Sequence, residues 1–134
     1  MSIDAFETAL ISRVAQWHQA NYPALDLVVE NGPIPELDKI TDVWIDLSVR
    51  PYNGTLLGVG QESIGRETGV LSIRVFTREG EGTATAREVL QSLKGELTRF
   101  RTDGGWLGYP KPYLPTTELG WYKRGLMFPY TVDG

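Results

Sequence analysis

Apolar and polar residues alternate over residues 41–50, where every second side chain is aliphatic. The aliphatic residues are Val43, Ile45, Leu47 and Val49. This period of two predicts a β-strand with one face against a core. The other face carries Asp42 and Asp46 on either side of Trp44, so we expect it to meet solvent or a partner.

Residues 70–100 predict a strand, a turn and a helix in succession. Residues 70–78 alternate as a strand does, and residues 79–82 form a turn with two glycines. Thr83 is the expected N-cap of the helix. The apolar residues of the helix lie at steps of three and four: Ala86, Val89, Leu90, Leu93, Leu97 and Phe100. Such a stripe packs on a core, so the segment predicts a packing unit without a reaction centre.

Residues 2–20 are predicted to form the first helix, with Ser2 as its cap and Asp4 near the positive end of its dipole. The apolar stripe of this helix consists of Ile3, Phe6, Leu10, Val14 and Trp17. The helix is expected to end at Asn21-Tyr22-Pro23, because proline disfavours a helical residue before it.

The remaining segments are less regular. Residues 25–30 predict a short strand, and residues 51–69 are rich in glycine, so we expect a loop flanked by strand ends, with a hairpin as the alternative. Residues 106–109 predict another short strand, and residues 118–132 a strand rich in aromatic side chains. Pro129 predicts that the end of this last strand lies at a sheet edge or a bulge.

The order of helix, strands, helix and strands predicts an α+β fold. We expect a mostly antiparallel sheet with two helices packed on one face. With 134 residues, the chain is long enough to bury a core and is expected to form a single domain over residues 1–134.

Composition narrows the possible chemistry. There is no cysteine, which excludes a thiolate nucleophile and a cysteine metal site. His18 is the only histidine, so one subunit cannot form a metal site from several histidines. The lack of cysteine is typical of a reducing compartment. A formal net charge of −4 does not favour general binding of nucleic acid. No apolar stretch is long enough to span a bilayer and no signal peptide is indicated, so we expect no membrane partner.

Three sequence patterns could indicate catalysis, but for none of them does the sequence offer a further residue that would complete a catalytic site. Residues 80–83 lie between a strand and a helix, but they lack the glycine spacing and the lysine of a phosphate loop. Asp42 and Asp46 have an alternative interpretation as a carboxylate pair for acid–base chemistry or a divalent ion. His18 is expected to be a charge favoured by the C-terminal end of a helix. We therefore expect no enzyme, no catalytic or metal-binding residue and no cofactor.

Contact with other proteins is the stronger expectation, because tyrosine, tryptophan and arginine are enriched in interfaces. Aromatic residues crowd the last third of the chain, and we expect one or two to be exposed in a monomer and covered in an assembly. The basic residues of this region are either ordinary surface charges or a patch that pairs with acidic residues of another copy. The candidate interface residues are Asp42, Trp44, Asp46, Arg99, Arg101, Trp106, Tyr109, Tyr113, Trp121, Lys123 and Arg124.

Three segments make the chain resemble the tail terminator-like, or tail completion, proteins of long-tailed bacteriophages and prophages. They are the helix DAFETALISRVAQW at residues 4–17, the block 69–93 with its Val75-Phe76 strand end and Gly80-x-Gly82 turn, and the closing strand from Gly120-Trp121-Tyr122-Lys123-Arg124 to Phe128-Pro129-Tyr130. The order of elements and the length agree over essentially the whole chain.

The resemblance implies a small α+β subunit that assembles into a ring, typically hexameric, and that can remain a monomer in solution. Such a ring caps the tail tube, ends its polymerisation and offers a surface for head–tail joining. The implied partners are other copies, the tail tube protein and a head–tail joining protein. DNA would pass through the lumen without specific binding, with Asp42 and Asp46 as candidates for acidic charge there.

The implied location is the head-proximal end of the virion tail, after synthesis in the cytoplasm of the bacterial host. Two other classes of function stay open. One is a small monomeric module that binds a ligand, and the other is a carboxylate-based enzyme of a prophage.

Overall fold

The computed structural model describes residues 2–30, 43–57, 64–78, 80, 83–98 and 100–134. These residues contain two helices and eight strands. The helices are α1 (Ile3–Asn21) and α2 (Ala84–Leu97). The strands are β1 (Asp26–Val29), β2 (Trp44–Leu57), β3 (Ile64–Arg78), β4 (Arg101–Thr102), β5 (Gly105–Leu107), β6 (Lys111–Pro112), β7 (Thr116–Glu118) and β8 (Trp121–Asp133).

The described strands form one sheet in the order β1-β2-β3-β8-β5-β4, and β6 and β7 pair with β8. β1 runs parallel to β2, whereas the other pairings are antiparallel. Both helices pack against the same face of this sheet. The predicted α+β class, a mostly antiparallel sheet with two helices on one face, is therefore confirmed.

The core lies between the helices and that face of the sheet. The helices contribute Phe6, Leu10, Val14, Trp17, Ala86, Val89, Leu90, Leu93 and Leu97. The long strands contribute Ile45, Leu47, Val49, Leu71, Ile73, Val75, Phe128, Tyr130 and Val132, and Val43 joins them from the position before β2. These are the positions that the two periodic patterns predict. Burial of this apolar surface is the main driving force for the fold.

Hydrogen bonds fix the ends of α1. Ser2 caps the helix as predicted, because its Oγ accepts the Ala5 N–H at 3.1 Å. In the last turn, the buried ring of His18 donates from Nε2 to the Leu25 carbonyl oxygen at 2.5 Å. This bond ties the end of α1 to the start of β1. Thr83 precedes α2 as predicted, but its side chain makes no capping hydrogen bond.

The two helices lie side by side in opposite directions. Arg13 Nε donates to Glu96 Oε1 at 2.8 Å, and one turn further along α1, Trp17 Nε1 donates to Ser92 Oγ at 3.0 Å. Residue numbers therefore rise along α1 while they fall along the neighbouring α2, so the two helices are antiparallel. The flank of α2 that faces away from α1 remains available for other contacts.

Residues 51–57 and 64–69 differ from the loop that the glycine content favours, and residues 58–63 lie outside the described residues. β2 and β3 pair antiparallel as far as Leu57 and Ile64, so the hairpin alternative is correct. A bulge interrupts the register between Pro51 and Asn53. Backbone hydrogen bonds hold such strands together without a run of large apolar side chains, which is why the sequence pattern does not reveal them.

Pro51 is tolerated because of the direction in which its nitrogen points. The Leu47 carbonyl accepts the Glu30 N–H at 3.0 Å, and the Val49 N–H donates to Glu30 Oε2 at 3.2 Å. Odd-numbered residues of β2 therefore direct their backbone groups away from β3. The same alternation places the Pro51 nitrogen on that outer side. Among the described residues no strand pairs with β2 there, and the proline removes no bond to β3.

Pro129 does not lie at a sheet edge, so that alternative is wrong. The bulge alternative agrees with the register beside it, because Leu107 pairs with Tyr130 and Lys111 with Met127, which sets three residues opposite two. β8 pairs with β3 without interruption and with β5 and β6 on its other side. The Pro129 carbonyl accepts the Gly108 N–H at 2.6 Å, so the nitrogen of Pro129 faces the same side. On that side the partner of β8 changes from β5 to β6. The missing N–H of Pro129 therefore leaves no hydrogen bond of a continuous ladder unmade.

Gly105 allows α1 to approach β5 closely, because a Cβ at this position would lie 2.4 Å from Phe6 Cδ2 in the core. We expect Gly105→Ala to lower the free energy of unfolding by about 1–3 kcal/mol, since overpacking displaces buried groups. Gly95→Ala is the matched control, because nothing lies within 4 Å of the added methyl group on α2. It should raise the free energy of unfolding by up to about 1 kcal/mol. Urea denaturation measures both variants, and a Gly105→Ala protein as stable as the parent would contradict the close contact.

Candidate assembly surfaces

The face of the sheet opposite the helices, the open face, carries a compact aromatic cluster. Trp44 stacks on Phe76 with ring centroids 3.9 Å apart and planes 7° apart. Trp121 meets Trp44 edge-on, at 6.1 Å and 87°. The three side chains are only 8%, 7% and 5% exposed. Such arrangements are favourable for aromatic rings, and they make a second, smaller core on the open face.

Charged side chains frame this cluster. The guanidinium carbon of Arg78 lies 3.9 Å from the ring centroid of Trp121, which is a cation–π contact. Arg74 donates from Nε to Asp46 Oδ1 at 3.0 Å and from Nη2 to Asp46 Oδ2. The side-chain hydrogen bond with Asp46 raises the pKa of Arg74. Asp46 thus forms a forked ion pair with an arginine, while Asp42 lies outside the described residues.

Residues 108–120 form an arm that runs beside β8 and contains β6 and β7. Tyr113 ties the arm to the open face, because its hydroxyl lies 2.5 Å from Ser72 Oγ and its N–H donates to the Gly125 carbonyl at 2.9 Å. Its ring covers Gly125, where an added Cβ would lie 2.7 Å from Tyr113 Cδ2. Tyr113 is therefore held in place by the sheet.

The arm also carries exposed apolar side chains. Tyr109, Leu114 and Leu119 are 74%, 87% and 87% exposed. Leu119 and Gly120 both have positive φ, 53° and 82°, which is the signature of a type I′ turn between β7 and β8. The turn places Leu119 at its tip. Tyr109 is thus an exposed aromatic residue of the last third, as expected, and a concentration of exposed apolar groups marks an interaction surface.

A cleft beyond the C-terminal end of α2 and a second cleft on the outer flank of this helix form what we call the basic groove. The first has a volume of about 520 Å³ and is lined by Thr98, Phe100, Arg101, Trp106, Leu107, Gly108, Tyr109 and Pro110. The second has a volume of about 240 Å³ and is lined by Arg87, Leu90, Gln91, Lys94, Pro112, Tyr113, Arg124, Gly125 and Leu126. Lys94 connects them, with its Nζ 4.9 Å from the Tyr109 ring centroid. No acidic residue is among these lining residues.

The two predicted basic residues of β8 have different surroundings. Lys123 and Arg124 are neighbours in β8, so their side chains point to opposite faces. Lys123 donates to Glu118 Oε2 at 2.7 Å, and this hydrogen bond lowers the pKa of Glu118. Arg124 lines the basic groove together with Arg101. Lys123 and Arg124 nevertheless line one further cleft, of about 250 Å³, together with Arg74. The predicted basic patch stays a prediction, and Arg99 lies outside the described residues.

The candidate interface residues therefore fall into two groups. Trp44, Asp46, Trp121 and Lys123 lie on the open face, and Arg101, Trp106, Tyr109 and Arg124 line the groove. Tyr113 belongs to both, because it contacts Ser72 on the open face and also lines the groove. Two groove cations, Arg87 and Lys94, are absent from the sequence-based set. They lie seven residues apart on α2, and this helical spacing is a signal that could have found them.

Among the described residues, no three histidine, aspartate or glutamate side chains lie close enough to hold a metal ion. Neither described helix combines the length and the apolar composition that crossing a lipid bilayer requires.

Comparison with known proteins identifies the fold and no family. No protein-family model matches the chain, and no curated protein does. One solved structure, whose name is a bare sequence identifier, superimposes with a TM-score of 0.73 at 21% sequence identity. The match covers 98% of this chain and 96% of that chain. At this identity the similarity shows a shared fold alone, so function must be argued from the surfaces.

Trp44 Nε1 is buried and has no hydrogen-bond acceptor among the described residues. Trp44→Phe removes this donor and keeps a ring on Phe76, so we expect the free energy of unfolding to fall by less than about 1.5 kcal/mol. Trp44→Ala empties the cluster and should cost about 3–5 kcal/mol. Thermal unfolding followed by circular dichroism compares the two variants. Equal losses would show that the stacked ring does not stabilise the open face.

Proposed function

We propose that this chain is a structural virion protein of a long-tailed bacteriophage or prophage. It caps the tail tube, ends its polymerisation and provides the surface for head–tail joining. The observation that carries the proposal is the arm, which exposes Tyr109, Leu114 and Leu119 beside a core that is complete without them. A rigid sheet with an apolar, exposed appendage suits a subunit that docks on other proteins.

A terminator must bind the last ring of the tail tube and must not bind a further ring of tube subunits, which requires two unlike surfaces. The apolar arm suits the first task, and we assign it to the contact with the tail tube protein. The open face suits the second, because its aromatic cluster is buried and its Asp46 is already paired with Arg74. A head–tail joining protein would then bind on the side away from the tube.

Lateral contacts between copies would close the subunits into a ring, which is hexameric in this proposal. Contacts between unlike patches close a ring when the rotation between neighbours permits it. A net charge of −4 gives the chain no general attraction for phosphate, which suits a lumen through which DNA passes without being bound. The protein then acts at the head-proximal end of the tail, through its surfaces, without a cofactor and without making or breaking a bond.

The larger cleft of the basic groove favours a second candidate, a module that binds a small ligand. Its volume of about 520 Å³ lies in the range of ligand pockets, and Phe100, Trp106 and Tyr109 line it beside Arg101. An aromatic, partly cationic cleft suits a planar anion. The carboxylate-based enzyme is less well supported, because the described carboxylate of the pair, that of Asp46, is bound to Arg74.

A phage that lacks this gene should be rescued by the parent chain but not by Leu114→Ser/Leu119→Ser. Both leucines are almost fully exposed, so the variant should fold with unchanged thermal stability and lose only its docking surface. We expect tails of uncontrolled length, or tails without heads, in electron micrographs of lysates.

Lys111→Ser is the matched control, because it changes an exposed polar residue of the same arm and should rescue fully. Normal, head-bearing tails in the absence of the gene would refute the proposed function. Normal tails with the double leucine variant would refute the role of the arm.

A further inference from the structure

Charge is unevenly distributed over the described surface. Arg87, Lys94, Arg101 and Arg124 line the basic groove without an acidic neighbour in the lining, although the chain has a net charge of −4. Arg101 and Arg124 make no ion pair with another described residue. Like charges gathered in one cleft repel one another and favour an acidic group from outside.

Acidic side chains lie at the opposite edge of the sheet. β1 is its outermost described strand. The exposed Asp26 begins it, and the exposed Glu30 follows its last residue, Val29. Four residues of extended chain span about 13 Å, so the Cα atoms of Asp26 and Glu30 lie about this far apart. Asp26 makes no ion pair with another described residue, and Glu30 Oε2 accepts the Val49 N–H, which leaves its second oxygen available.

The spacing of the groove cations is similar. Arg87 and Lys94 are seven residues apart on one side of α2, which corresponds to about 10 Å along the helix axis. Two acidic residues whose Cα atoms lie about 13 Å apart can therefore contact two long, flexible basic side chains at once.

One of the two possible directions of β1 along the groove of a neighbouring copy has a further contact in its favour. If Glu30 meets Arg87 and Asp26 meets Lys94, the exposed Pro23 that precedes β1 faces the larger cleft, which lies beyond Lys94. The aromatic walls of that cleft are suitable for packing against proline.

We propose that the basic groove of one copy receives the β1 edge of a neighbouring copy, with Asp26 and Glu30 against Lys94 and Arg87. Groove and edge are different surfaces separated by β2 and β3, so the contact is head-to-tail and can close into a ring. The inference rests on the proposed ring and assigns its lateral contact. Nucleic acid is the less suitable occupant, because Leu90, Pro112 and Leu126 give the groove apolar walls that phosphates do not use.

Charge reversal tests the contact directly. The groove variant is Arg87→Glu/Lys94→Glu, and the edge variant is Asp26→Lys/Glu30→Lys. The parent chain should self-associate as its concentration rises in sedimentation velocity, and more weakly at high salt. Each variant alone should associate about 100-fold more weakly, because like charges then face each other across the contact.

An equimolar mixture of the two variants should associate again, because each supplies the surface that matches the other. A chain that carries all four substitutions should also recover association. Glu67→Lys, at an exposed position of β3, is the control for net charge and should behave as the parent. Asp26→Lys alone replaces the edge variant if circular dichroism shows that Glu30→Lys disturbs the fold.

Three results would overturn the inference: a parent chain that stays monomeric at every concentration, variants that associate as the parent does, or a mixture that stays monomeric. Binding of a DNA duplex that is lost in the groove variant, without self-association, would assign the groove to nucleic acid instead. Phage complementation separates this inference from the proposed function. A parent chain that terminates tails while charge reversal leaves association unchanged keeps the function and loses only this contact.

Discussion

Strand β8 is the constraint on which the rest of the structure depends. It is hydrogen-bonded to β3 on one side and to β5, β6 and β7 on the other, so both of its backbone edges are occupied. Its side chains serve two cores at the same time. Phe128 and Tyr130 pack under the helices, and Trp121 closes the aromatic cluster on the open face. The arm is positioned because it pairs with this strand.

The periodic parts of the fold could be predicted from the sequence. Residues 43–49 and 71–75 alternate as strands do, and the helix stripes mark the residues that are buried. The pairing partners could not be predicted, because backbone hydrogen bonds leave no pattern in the side chains. For this reason the sequence favours a loop where residues 51–57 and 64–69 form paired strands, and it does not distinguish an edge from a bulge at Pro129. In both cases, what matters is the side to which a backbone nitrogen points.

The candidate surfaces were predicted only in part. Composition shows that aromatic residues are abundant but not which of them are buried, and Trp44 and Trp121 are nearly covered because residues from three strands meet. The opposite directions of Lys123 and Arg124 follow from strand geometry and could have been predicted. The basic groove required tertiary structure, since it brings α2, β8 and the arm together.

Pro51 and the bulge beside it limit how the protein can aggregate. An unpaired strand edge is a template on which further chains can add by backbone hydrogen bonding. The outer side of β2 presents a nitrogen without hydrogen at Pro51 and then an irregular register, so a foreign strand cannot continue the ladder there. Fibril growth by backbone pairing is thereby disfavoured at this position of β2, while contacts through side chains are unaffected.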